Sequence, residues 1–95
     1  MNVHWTESAL ADLHAVEAYL ARRSEQYAQG MVDRIFDRSA QLADHPKLGP
    51  VVEEYDDETI RELFEDPYRI IYRVLEQQVD IVAVVHSARR LPRSL

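Results

Sequence analysis

The sequence predicts an α+β domain in the order β-α-α-β-β-β, an antiparallel sheet covered on one face by an N-terminal helical hairpin. Three observations predict it. Apolar residues recur at helical spacing through the first half, the chain turns β-branched and aromatic after residue 59, and 95 residues supply one core and no more. The reading is therefore one domain over residues 1–95.

The opening run Asn2 to Trp5 alternates, with Val3 and Trp5 on one face, and its length suits an edge or second strand. Thr6 is placed to cap a helix whose first turn carries Glu7, where a carboxylate complements the positive end of the dipole. Ala9, Leu13, Val16 and Leu20 then make one apolar stripe, widened by Leu10 and Tyr19. Arg22 and Arg23 close this helix, and Ser24 caps the next. The second stripe is Ala28, Met31, Ile35, Ser39 and Leu42, flanked by Val32 and Phe36, and Pro46 marks its stop. So short a link forces the two helices to pack antiparallel. Gly30 costs about 1 kcal/mol against Ala inside a helix, which is read as close approach to the first helix.

After Leu48-Gly49-Pro50, the stretch Glu53-Glu54-Tyr55-Asp56-Asp57-Glu58 is too acidic for a core and is read as a solvated loop. Thr59 to Phe64 begins the β region, Asp66-Pro67 turns it, and Tyr68 to Leu75 is a strand by composition. Val79 to Val85 is nearly all apolar, as expected of a central strand buried on both faces. Three consecutive strands with short turns make an antiparallel meander, and the helical stripes have only that sheet to cover.

Composition narrows the function. Apolar residues make up 46% and charged residues 29%, with two glycines and no cysteine, which removes disulfides, thiolate metal sites, thiol nucleophiles and glycine-rich phosphate loops. No run is long enough to cross a bilayer, and the expectation is a soluble cytoplasmic protein without cofactor. His4, His14, His45 and His86 lack metal-ligand spacing, so no metal site is expected. The net charge of −6 argues against sequence-independent coating of nucleic acid by the whole surface. The charge is nevertheless polarised: residues 67–95 carry Arg69, Arg73, Arg89, Arg90 and Arg93 against Glu76 and Asp80, a balance of +3, which leaves −9 on residues 1–66. An i, i+4 spacing on a strand puts Arg69, Ile71 and Arg73 on one face and Tyr68, Ile70, Tyr72 and Val74 on the other. Two readings stay open for those arginines: a wet sheet face bridged to the acidic loop, or an anion or partner site joined by Arg89 and Arg90.

The motifs Trp5-Thr6-x-x-Ala9-x-x-Asp12-Leu13, Tyr19-Leu20, His45-Pro46-x-x-Gly49-x-x-Val52, Ile60-Arg61-Glu62-Leu63, Tyr68-Arg69-Ile70-Ile71-Tyr72-Arg73-Val74 and Val85-His86-x-x-Arg89-x-Leu91-Pro92 occur in that order. Together they resemble the RelE/ParE toxin superfamily of bacterial type II toxin–antitoxin systems across essentially the whole chain. The resemblance implies a cognate antitoxin that wraps the toxin and no cofactor. It leaves two targets. The RelE branch implies a ribosome-dependent mRNA endonuclease, here built on Arg69, Arg73, His86 and Arg89. Ile60 and Glu62, however, stand where that branch has lysines, and the tail Leu91-Pro92-Arg93-Ser94-Leu95 offers no Tyr or His as acid or base.

The ParE branch implies inhibition of DNA gyrase by binding, with no catalytic residue, and Arg61-Glu62-Leu63 and Val85-His86-x-x-Arg89 look more like it. That is the preferred reading. Its target-binding residues are Arg69, Arg73, Arg89, Arg90 and Arg93, and a ParD-like antitoxin is expected to lay a helix on Leu10, Leu13, Tyr19, Val32 and Phe36. A third reading is a non-toxic remnant that only binds antitoxin.

Overall fold

The computed structural model describes residues 1–95, and they run as β1 (Asn2–Trp5), α1 (Glu7–Ala21), α2 (Glu25–Ala40), β2 (Ile60–Glu65), β3 (Tyr68–Val74) and β4 (Gln78–His86). The expected order stands. Single 3-10 turns at Gln41–Ala43 and Glu53–Tyr55 punctuate the connection between α2 and β2.

Both caps form as the sequence predicts. Thr6 Oγ1 accepts from the Ala9 N–H at 3.1 Å and donates to the Ile81 carbonyl at 2.9 Å, so it starts α1 and ties that start to β4. Ser24 Oγ accepts from the Tyr27 N–H at 3.1 Å to start α2. Removing such a cap costs about 0.5–2 kcal/mol.

The sheet order is β1-β4-β3-β2. The last three strands form the antiparallel meander, whereas β1 joins the far side of β4 in parallel, Val3 opposite Val79 and Trp5 opposite Ile81. The sheet is thus mixed, with β1 at an edge. The reason is geometric: α1 begins at the end of β1 and runs onward above β4, so β1 must enter in the direction of β4.

Ala9 and Leu13 of α1, Met31, Val32 and Ile35 of α2, and Leu42 pack on Leu63, Tyr68, Ile70, Tyr72, Val79, Ile81 and Val84. This is the main core. On β4 the pattern depends on a bulge, because the β3 partners step from Ala83 to Ile81 and leave Val82 as an extra residue. Val82 and Ala83 consequently both serve the opposite face, and Val84 returns to the hairpin side. The Val84 N–H is taken by the Asp12 carboxylate at 2.9 Å, which pins α1 to the irregular point of the ladder.

The opposite face carries a second, smaller cluster of Val52, Ile60, Ile71, Ala83 and Leu91, with Tyr55 packed against it. The acidic stretch is therefore not a free solvated loop. Its Tyr55 hydroxyl donates to the Pro92 carbonyl at 2.6 Å and holds the C-terminal tail across the sheet. Gly49 fits where a Cβ would meet the Glu62 carbonyl oxygen at 2.0 Å, and its N–H donates to the buried Tyr72 hydroxyl at 3.0 Å. Gly30 differs from expectation. The nearest group to a Cβ there is Arg34 on the same helix, at an ordinary 3.5 Å, so no close approach to α1 requires a glycine.

Candidate target and antitoxin surfaces

Strand alternation puts Ile60, Glu62 and Phe64 of β2 beside Ile71 and Arg69 of β3 on the face turned away from the helices. Arg69 is only 9% exposed there. Its Nε donates to Glu62 Oε1 at 2.5 Å, and its Nη1 and Nη2 donate to the two oxygens of Glu54 at 3.0 and 3.2 Å. Both carboxylates raise the guanidinium pKa above its ordinary value, the hydrogen bond donated to Glu62 contributing most. Glu54 is held below the usual carboxylate range chiefly by its hydrogen bond to Arg69.

A cleft of about 570 Å³ opens over this triad, lined by Pro50, Val51, Glu53, Glu54, Glu62, Phe64 and Arg69. Its balance is negative, because the one arginine is matched by three glutamates and already engages two of them. Arg69 is thus no exposed cation for a target, and of the two readings weighed for it the bridge to the acidic loop is the one found. Glu54 belongs to the acidic stretch to which the sequence points, whereas Glu62 lies diagonally across the strand pair, a place fixed only by register.

The remaining arginines behave differently. Arg73 is half-buried at the other end of β3, opposite Ile60. Arg89 and Arg90 follow the end of β4 and are exposed, Arg93 is exposed in the tail, and none of the four is held in an ion pair. The endonuclease set is not brought together. His86 lies on the hairpin side, its ring edge-on to Tyr68 with centroids 5.7 Å apart, while Arg69 is on the opposite face. The His86 Nδ1 also accepts from the Ala88 N–H at 3.0 Å, which occupies its lone pair within the turn.

The residues expected to meet an antitoxin divide. Leu13 and Val32 are in the main core, facing the sheet. Leu10 is half-buried, and Tyr19 and Phe36 are exposed at 65% and 39%. Phe36 rests on Trp5 with centroids 4.8 Å apart, and the Trp5 indole N–H reaches Ser39 Oγ at 3.3 Å. At the hairpin tip, Tyr19, Leu20, Arg22, Arg23 and Tyr27 line a second cleft of about 450 Å³. Tyr68 lies close by: burial, with Tyr19 and Tyr27 as neighbours, pushes its hydroxyl above the ordinary value. No helix is long and apolar enough to cross a membrane, and no three histidine or carboxylate side chains gather as metal ligands would.

A small helical hairpin on a four-stranded sheet with this motif order has a counterpart among known sequences. A family model describing the ParE toxin of the parDE type II toxin–antitoxin system matches residues 3–91. The chain belongs to the ParE toxin family. A relative named Toxin RelE2, from Caulobacter vibrioides, is 39% identical over 88 residues, covering 92% of this chain and 96% of its own. The fold agrees with a chain of the chromosomal ParDE system of P. aeruginosa at a TM-score of 0.75 and 22% identity, covering 90% of this chain and 95% of that one. A chain of the RelBE2 toxin–antitoxin complex of Mycobacterium tuberculosis agrees at 0.65 and 20% identity, covering 93% and 92%. This ParE-family chain is accordingly a toxin of a type II system, similar in fold to chains from both a ParDE and a RelBE2 system.

Proposed function

We propose that this ParE-family toxin inhibits DNA gyrase in the cytoplasm by binding alone, and that a cognate ParD-like antitoxin neutralises it. The observation that carries the reading is the locked state of Arg69. Cleaving RNA through its 2′-hydroxyl needs a base for the nucleophile and an exposed cation for the phosphate, held within reach of one another. Here the strand arginine is saturated by Glu62 and Glu54, and the one histidine at that end of the sheet is on the other face. What stays free is a set of exposed cations, Arg89, Arg90 and Arg93, with Arg73 half-exposed, suited to contacting a protein–DNA complex. In this reading Arg69 shapes the face and does not touch the target.

The antitoxin partner rests on the family and on solved neighbours from toxin–antitoxin systems. Exposed Tyr19 and Phe36 and half-buried Leu10 offer it separate apolar contacts on the hairpin, while Leu13 and Val32 are held in the core beneath. Two assays on the purified toxin test the function together. Gyrase supercoiling should fall with added toxin, and primer extension on translated message should show no new ends. Codon-dependent cuts in the ribosomal A site would replace the gyrase reading with the endonuclease one. No effect in either assay would leave antitoxin binding as the remaining activity.

A further inference from the structure

At the hairpin tip, Arg22, Arg23 and Tyr27 are left unused by the gyrase reading, and they adjoin Tyr19 of the proposed antitoxin surface. Tyr19 in the last turns of α1 and Tyr27 in the first turn of α2 border one cleft, and they are 65% and 51% exposed. Arg22 and Arg23 line the same cleft and make no ion pair. Nor does capping require them, because the backbone N–H groups of Arg23 and Ser24 already satisfy the Leu20 carbonyl, each at 3.1 Å. Tyr68 neighbours Tyr19 and Tyr27, His86 packs edge-on against Tyr68, and the exposed Arg89 and Arg90 follow His86 within one turn. The most acidic part of the chain, Glu53 to Glu58, is on the other face of the sheet. The lining of the cleft itself is therefore cationic and aromatic, with Glu25 in the first turn of α2 and Glu65 opposite Tyr68 as the nearest acids outside it.

We propose that the tip binds a single strand of nucleic acid, its bases against the Tyr19 and Tyr27 rings and its phosphates against Arg22 and Arg23. A strand presents one flat ring and one anion per residue, which matches two exposed phenol rings sharing a cleft with two unpaired guanidinium groups. A peptide of acidic residues alone would satisfy the arginines and leave the rings bare. Stacking on aromatic side chains beside a cationic rim is how single strands are held without sequence preference. The cleft, about 450 Å³, is within the usual size of a small-molecule site. The proposal goes beyond the gyrase reading and stands or falls separately from it.

Fluorescence anisotropy of the full-length toxin with labelled oligothymidylate and oligouridylate tests it. Binding is expected at low salt, by either polymer or both, the preferred one identifying the strand as DNA or RNA. Tyr19→Ala with Tyr27→Ala should weaken it at least about tenfold. Arg22→Ala with Arg23→Ala should lower the log–log salt slope by about 0.7 for each phosphate that is no longer neutralised. Lys47→Ala, in the loop after α2, should change neither. Because all four tip side chains are at least partly exposed, circular dichroism melts of both double variants should match the parent and separate weakened binding from impaired folding. Absence of binding to both polymers, binding indifferent to the tyrosines, or equal competition by an Asp-rich peptide would overturn the proposal.

Discussion

The two faces of the sheet are built by opposite means. The hairpin face is covered by a 13-residue cluster of apolar side chains that joins consecutive elements. The other face has a cluster of five, drawn from residues as far apart as Val52 and Leu91, and beside it a buried Arg69–Glu62 pair completed by Glu54. The first face is held by area removed from water, which is roughly additive and tolerant. The second depends on charges that are tolerable only together. Substitutions should therefore be graded on the hairpin side and abrupt on the other.

The largest expected effect is Arg69→Ala, which leaves Glu62 buried without a counter-charge. Stability should fall by about 3–5 kcal/mol in urea unfolding. The sharper form of the experiment replaces both partners, Arg69→Met with Glu62→Leu, and recovery of most of that stability would separate the penalty of an orphan charge from the net contribution of the pair. Next is Gly49→Ala, whose methyl would overlap the Glu62 backbone. A decrease of about 1–3 kcal/mol is expected, as a lowered midpoint with an unchanged m-value.

Glu54 gives the ionic face a pH signature. Its folded pKa lies below the unfolded value, here 4.5, so its contribution is complete above that pH and disappears as pH falls through the lowered folded value. The side chain is 49% exposed, so the effect should stay under about 1 kcal/mol. Glu54→Gln should flatten the acid limb of stability against pH. On the helical side, Gly30→Ala should stabilise the chain by about 0.5–1 kcal/mol, since a Cβ meets only ordinary contact there. The smallest effect on folding belongs to Arg89→Ala with Arg90→Ala, within about 0.5 kcal/mol. These two are expected to abolish gyrase inhibition without a comparable shift in Tm.

The same contrast explains what is legible in the sequence alone. The α1 and α2 stripes, both caps and the meander are legible because each is written in local spacing. The parallel entry of β1, the bulge at Val82 and the Asp12 contact with it are not, since all three arise from pairing between distant segments. Arg69 and Arg73 share a face as the alternation requires, yet alternation is silent on which charge finds a partner. That is decided by the 3-10 turn that carries Glu54 across to β3, in a stretch whose acidity points toward water. Likewise Leu13 and Val32 belong to the hairpin stripe, but only packing separates the side of it that faces the sheet from the side that Tyr19 and Phe36 leave to a partner.

The place of β4 has a consequence for the timing of synthesis. It lies between β1 and β3, so the first strand made has no neighbour until the last strand emerges. Val3 waits for Val79, and Asp12 for the Val84 N–H. Long-range closures of this kind come late and slowly in folding. A nascent chain interrupted before Gln78 holds two helices and a lone β-hairpin without the strand that joins them, and cannot present either face. Any activity that depends on these two faces is expected to require translation through β4, so a frameshift or premature stop upstream of the last strand should yield an inactive product.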